Sequence, residues 1–243
     1  MGGLLQPQLE WSRWATALVV ALGFSVVARV MRGVNRSGAI AGAAVSFLIY
    51  GCAGPAAFAT LVWVFVLTLL ATRMGYARKL RSGTAEKGSG RTASQVIANT
   101  GVAVIAGLVF ARRGESAFLA GLVAALAEVA ADTVSSECGQ AAESQARLIT
   151  TWKSVPPGTN GAISLAGTIA GSAAALLVGL ASAGLRLVPL HLASVAAAAG
   201  VIGMLVDSLL GATLEHRRLL NNNAVNFLGT LSAALIAIGW ARI

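Results

Sequence analysis

Eight apolar runs, near 15–31, 38–53, 56–72, 95–111, 116–136, 161–183, 190–214 and 223–241, govern what this chain can become. A helix needs roughly 17 to 25 such residues to cross the hydrocarbon of a bilayer, and in lipid the backbone must satisfy its own N–H and C=O groups. The sequence therefore reads as an all-α polytopic membrane protein of about eight transmembrane helices, a single domain over 1–243. With 56% hydrophobic and only 11% charged residues it lacks the polar surface of a soluble domain. The first run leads into Arg29, Arg32 and Arg36 instead of a small-residue cleavage site, so it reads as a span and not as a cleavable signal.

The net charge of +9 is a topology signal. Thirteen of the 18 basic residues fall in alternate connections: Arg29, Arg32 and Arg36; Arg73, Arg78, Lys79, Arg81, Lys87 and Arg91; Arg147 and Lys153; Arg217 and Arg218. The opposite side holds Arg13, Arg112, Arg113, Arg186 and Arg242. The positive-inside rule then places the basic loops, 73–94 and 138–160 among them, in the cytoplasm and both termini outside, as in a bacterial-type inner membrane. Charges spread in this way serve orientation and contact with anionic membrane lipids, and no nucleic-acid partner is expected.

Carboxylates near the ends of apolar runs point to function, because a charge inside a spanning helix costs roughly 3 kcal/mol on insertion scales. Glu128, Asp132 and Ser136 form one stripe at i, i+4 and i+8; Asp207, Gly211 and Glu215 form a second. Glu137 falls about 140° from Asp132 on a continuing helix, so it joins the first stripe only if the helix ends or unwinds near Ser136. The outward-running spans all begin with amide or hydroxyl residues: Asn35 and Ser37, Gln95 and Asn99, Asn160 and Ser164, Asn222 and Asn226. Such positions either cap helices or, with the helix N-terminus, hold phosphate oxygens.

The second half carries an internal repeat. Asn160-Gly-Ala-Ile-Ser-Leu-Ala-Gly-Thr168 and Asn222-Asn-Ala-Val-Asn-Phe-Leu-Gly-Thr230 agree at four of nine positions, each following a run with an acidic end, so a helix hairpin reads as duplicated. Gly38/Gly42, Gly167/Gly171 and Gly200 near Gly203 give the small-residue spacing that lets helices approach closely in lipid. Cys52 and Cys138 are too few and too isolated for a thiolate metal site, and Cys138 falls in a reducing compartment. Trp11, Trp14, Trp152 and Trp240 read as interfacial anchors. The loop containing Glu86-Lys87-Gly-Ser-Gly-Arg91 is flexible and charged enough to close over a triphosphate, although no Walker sequence is present.

Taken in order, the segments Gly90-Arg-Thr-Ala-Ser-Gln-Val-Ile-Ala-Asn99, Ala131-Asp-Thr-Val-Ser-Ser-Glu-Cys-Gly139, Leu148-Ile-Thr-Thr151, Pro157 to Thr168, Asp207 to Glu215 and Asn222-Asn-Ala-Val-Asn-Phe227 resemble the membrane family called domain of unknown function 92. That family includes phytyl-phosphate kinases of tocopherol synthesis and the animal transmembrane protein 19. The likeness extends over about residues 30–240, departing at Val134-Ser135, where Trp-Ala is expected, and at Glu215, often Gln.

The resemblance implies transfer of a phosphoryl group from a nucleoside triphosphate, CTP or ATP, to an isoprenoid monophosphate. Under that implication Asp132 and Asp207 hold Mg²⁺ with help from Glu137 and Glu128, since Mg²⁺ favours one or two carboxylates plus water and substrate phosphates. Lys87, Arg91 and Lys153 clamp phosphates, while Asn99, Asn160 and Asn226, with Ser136 on the acidic stripe, orient the nucleotide. The residues alone also fit a cation- or proton-coupled carrier of a small or lipid-linked anion. Against the carrier, Glu137 and Glu215 lie at the cytoplasmic boundary and not at the midplane.

Overall fold

The computed structural model describes residues 7–81, 90–142 and 145–243. Each of the eight apolar runs becomes a helix long and apolar enough to cross a membrane. In chain order the helices are α1 (Pro7–Val30), α2 (Arg36–Ala53), α3 (Pro55–Arg73), the short α4 (Tyr76–Arg81), α5 (Ala93–Arg113), α6 (Ser116–Ala141), α7 (Leu165–Gly184), α8 (Leu190–Leu210) and α9 (Asn222–Trp240). A π-helical turn, Gly211–Glu215, prolongs α8.

Local chemistry sets the helix ends. Only Gly54 separates α2 from α3; its φ of 89° suits a residue without Cβ, and Pro55 follows at the first helical position. Side-chain caps open α2, α5, α7 and α9: Asn35 accepts from Gly38 N, Ser164 from Gly167 N, and Asn221 from Ala224 N. Thr92 and Gln95 form a reciprocal capping box on α5. Capping thus accounts for Asn35, Gln95 and Ser164 among the polar residues at helix starts, and on α9 the cap is Asn221, one residue before the expected Asn222.

α6 is the central post, touching α3, α5, α7, α8 and α9. From Leu119 to Ala131 it is buried without interruption. Small residues bring its neighbours in: an ideal Cβ on Gly167 would stand 2.6 Å from Ser135 O, and one on Gly171 2.6 Å from Ala131 O. Large apolar side chains such as Val19, Val26, Ile40, Ile105, Ile169 and Leu235 remain exposed on the outside of the bundle, as a lipid-facing surface requires. Trp14 corrects its reading as an anchor: it packs on Phe47 with ring centroids 5.1 Å apart and lies across Gly51.

Two boundaries differ from expectation, and both shape the site. α6 continues to Ala141, beyond 136, so Glu137 stays helical and keeps its offset from Asp132. α7 begins at Leu165 and not near 161, because the preceding residues enter a small antiparallel sheet. β1 (Ala146–Leu148) lies between β2 (Ser154–Val155) and β3 (Ala162–Ile163), pairing Arg147 with both Ser154 and Ile163. The connection 138–160 is therefore part helix and part sheet, a β element added to an otherwise helical fold.

Candidate functional site

The ends of α5, α6, α8 and α9, together with the segment leading into α7, enclose a polar cavity of about 290 Å³. Asp132 and Ser136 reach it from α6, Asp207 from α8, Glu215 from the π turn, Asn99 from α5 and Asn226 from α9. Arg91, Glu137 and Asn160 complete the wall. Most of the residues singled out in the sequence, separated by more than a hundred positions along the chain, thus share one space.

Arg91 is held by its backbone before its side chain acts. The segment 90–92 runs beside 33–35 in a parallel bridge between Val34 and Arg91: Arg91 N donates to Gly33 O at 3.1 Å and Asn35 N donates to Arg91 O at 3.0 Å. Gly90 has φ 78°, and a Cβ there would strike the backbone of Val34 and Arg32 at under 3 Å. So anchored, the guanidinium donates to Thr133 Oγ1 at 3.2 Å and becomes the cationic neighbour of Asp132. Thr133 escaped the sequence reading, since a hydroxyl beside the acidic stripe carries no signal of its own.

The carboxylates form a graded group. Asp132 and Asp207 face the cavity and feel each other and Glu215. Glu128 lies one turn deeper on α6, 2% exposed. A Cβ built on Gly229 would come within 2.5 Å of Glu128 Oε1 and 3.4 Å of Asp207 Oδ2, and one on Gly203 within 2.8 Å of Glu128 Cγ. These two glycines therefore make the room in which the acids meet. Neither Glu128 Oε1 nor Asp207 Oδ2 has a hydrogen-bond partner among the described residues, a costly state for a buried carboxylate unless something further completes it.

Several expectations are corrected. Glu137 contributes to the wall, but its Oε2 is taken by Lys79, which reaches across from α4 and also donates to Thr72 O at 2.8 Å. The unbroken helix is the reason. Among the described residues no three His, Cys, Asp or Glu side chains assemble as a metal-holding group, so the four-carboxylate set does not form. Lys153 is exposed in the connection between β1 and β2 and does not line the cavity. Lys87 lies outside the described residues. Asn160 precedes β3 and does not open a helix, while Asn226 donates to Asn99 Oδ1 at 2.9 Å, tying α9 to α5 across the site.

The segment over the cavity is held by the β1–β3 pairing and by close packing on the π turn. Gly161 has φ 74°, and a Cβ there would lie 2.3 Å from Ala212 N in the π turn. π turns insert an extra residue per turn and recur at functional sites; this one brings Glu215 to the cavity wall. A second, mostly apolar cavity of about 410 Å³ lies among α1, α2, α3 and α5, and Arg91 and Asn99 line both.

Apolar spanning helices that gather paired acids, a fixed arginine and amides around a polar cavity near one end of the bundle define an α-helical integral membrane protein with a buried polar site. The chain belongs to the family described as integral membrane protein DUF92, whose model matches residues 19–234. It is 30% identical to an uncharacterised membrane protein of Methanocaldococcus jannaschii, over 93% of both chains. It is 31% identical to Protein VTE6, chloroplastic, of Arabidopsis thaliana, over 91% of this chain and 68% of that protein. An uncharacterised membrane protein of a Synechocystis strain is 32% identical over 79% of this chain and 76% of its own. No solved structure matches the chain significantly.

Proposed function

We propose that the protein is a membrane-embedded isoprenoid-phosphate kinase, and that the polar cavity is where a nucleoside triphosphate, CTP or ATP, meets a prenyl or phytyl monophosphate. The observation that carries this reading is the meeting of Asp132, Asp207 and Arg91 in one cavity. Carboxylates outnumber cations there, so a polyphosphate alone would be repelled, whereas a divalent cation suits the acids and the phosphates together. The membership of phytyl-phosphate kinases in the resembled family supports the same chemistry.

The unpartnered Asp207 Oδ2 and the all-oxygen donor set fit Mg²⁺. Asp132 and Asp207 would hold it, and when bound it neutralises charge on the phosphate oxygens. Arg91 binds phosphate oxygens from the side of Thr133. Asn99 and Asn226, fixed by their mutual hydrogen bond, and Asn160 offer amide N–H groups that orient the phosphates. An oxygen of the acceptor monophosphate attacks the terminal phosphorus, the bridging P–O bond breaks, and the nucleoside diphosphate leaves with that bond's electron pair. The nucleophile is already an anion, so no general base is required. The site opens to the cytoplasm in this reading, and a Thr150→Cys protein would be labelled from that side only.

A coupled carrier is the second reading, favoured by one observation: Glu128 is buried at the middle of α6 with an unpartnered oxygen. Beyond it, however, α6 is buried and apolar from Leu119 to Ala127, which offers no polar continuation toward the other face. The deciding experiment offers labelled ATP or CTP, Mg²⁺ and a panel of prenyl monophosphates to detergent-solubilised protein. Diphosphate product, lost in Asp132→Asn and Asp207→Asn, is the expected result; folded protein with no product on any acceptor would overturn the kinase reading in favour of transport.

A further inference from the structure

The apolar cavity is not used by the chemistry above, yet it adjoins that chemistry through two residues. Phe24 of α1, Val45 of α2, Leu61, Val64 and Phe65 of α3 and Val96 of α5 make its walls hydrocarbon. Its volume of about 410 Å³ lies in the range of small-molecule sites, roughly 300 to 1,000 Å³. At its polar end stand Arg32, Arg73 and Arg91, a cationic rim on an apolar chamber. Charge and hydropathy together match an amphiphile with an anionic head and a hydrocarbon tail.

Arg91 and Asn99 fix where the head belongs, because each lines both cavities. A phosphate bound by them lies at the edge of the Asp132 and Asp207 cavity while the chain attached to it extends among α1, α2 and α3. Two further details show a chamber with room for contents. Ser46 is fully buried in its wall and its Oγ has no hydrogen-bond partner among the described residues, a cost that a guest or a water relieves. Gly42 also lines it, and a Cβ built there meets nothing within 4 Å, whereas one on Gly38, a turn earlier, would stand 2.1 Å from Arg91 O. Gly38 permits close packing; Gly42 leaves space.

We infer that this cavity seats the isoprenoid chain of the acceptor, so that the substrate enters the site tail-first between α1, α2, α3 and α5 instead of leaving its tail in the surrounding lipid. The inference rests on the kinase reading for the identity of the guest. It predicts that chain length is measured by the protein, with Gly42 at the gauge.

The test uses Gly42→Leu, which adds bulk at a lining position where a Cβ meets nothing within 4 Å and replaces a poor helix former with a good one. Gly23→Leu is the control: its Cβ also meets nothing within 4 Å, and Gly23 is exposed on α1 away from the cavity. Turnover is measured on five-, ten- and twenty-carbon prenyl monophosphates, and a twenty-carbon analogue bearing a diazirine near the tail end is photolysed on each protein. Gly42→Leu should raise KM for the twenty-carbon acceptor at least tenfold, change it less than twofold for the five-carbon one, and leave the nucleotide KM alone. Label should fall on α2 and α3 and vanish in Gly42→Leu, with Gly23→Leu like the parent in every respect. An active kinase whose chain-length profile ignores Gly42→Leu would sink the tail site and leave the kinase standing. If no acceptor is turned over, the kinase reading falls, and labelling alone decides the cavity: Gly42-dependent label sustains it. Label elsewhere, or label displaced as readily by ordinary phospholipid as by prenyl monophosphate, overturns it.

Discussion

The two hairpins of the second half, α6 with α7 and α8 with α9, share a nine-residue signature yet fold it differently. In the second copy Asn222 to Thr230 is helical from its first residue, and Asn226 uses its side chain to bond Asn99 on another helix. In the first copy Asn160 to Ile163 is turn and strand, and Ser164, the counterpart of Asn226, becomes the cap of α7. The difference follows from the connection. Asp132 and Asn160 are 28 residues apart, Asp207 and Asn222 only 15, and the longer link folds back as a sheet that claims the first residues of its motif. One role survives the divergence. Gly167 and Gly229, at matching positions, both let their helix approach α6, the first at Ser135 and the second at Glu128. The two matching segments thus agree where packing demands it and differ where only the local backbone decides.

If the two copies contribute equally to the chemistry, Asp132→Asn and Asp207→Asn should each lower kcat on the order of a thousandfold, measured as steady-state diphosphate formation. A large loss in one variant alone would assign the catalytic cation to a single hairpin. Next in size is the latch that belongs to the first hairpin. Lys79→Met leaves Glu137 buried without its partner and should cost about 3 kcal/mol in detergent unfolding, with Lys79→Met/Glu137→Leu recovering most of it. Smaller again is the contrast at matched positions 161 and 223. Gly161→Val forces a branched residue to φ 74° against Ala212 and should cost about 2 kcal/mol, whereas Asn223→Val in a helix should stay within roughly 0.5 kcal/mol; equal melting shifts would mean that the sheet does not set the first copy. Smallest is Asn226→Ala, which removes the bond to Asn99 for about 1 kcal/mol, read by thermal melt, together with a raised nucleotide KM.

Much of the site was legible because the bilayer makes polar residues conspicuous. Asp132 and Asp207 stand out on apolar helices, and their stripes needed only the helical period to be drawn. Where the reading failed, the missing information was long-range. Lys153 looked like a phosphate clamp because it lies near the motif in sequence, but the β1–β2 turn carries it outward. Glu137 looked like a fourth ligand, and a lysine from α4 intercepted it. Arg91 could be named as a cation in the loop, but not that a parallel bridge to Val34 would aim it at Asp132.

The sequence by itself determined the class of protein and its eight spans, because transfer of each segment into lipid is a local property summed residue by residue. It also determined the central acids, since no soluble surface competes for them. Tertiary structure alone decided which acids share a cavity, which are satisfied by a partner, and that an apolar chamber abuts the polar one at Arg91 and Asn99. Those outcomes depend on the distance and rotation between helices, which glycines such as Gly203, Gly229 and Gly161 set by close contact, and a contact between distant positions leaves no periodic trace in the chain that makes it.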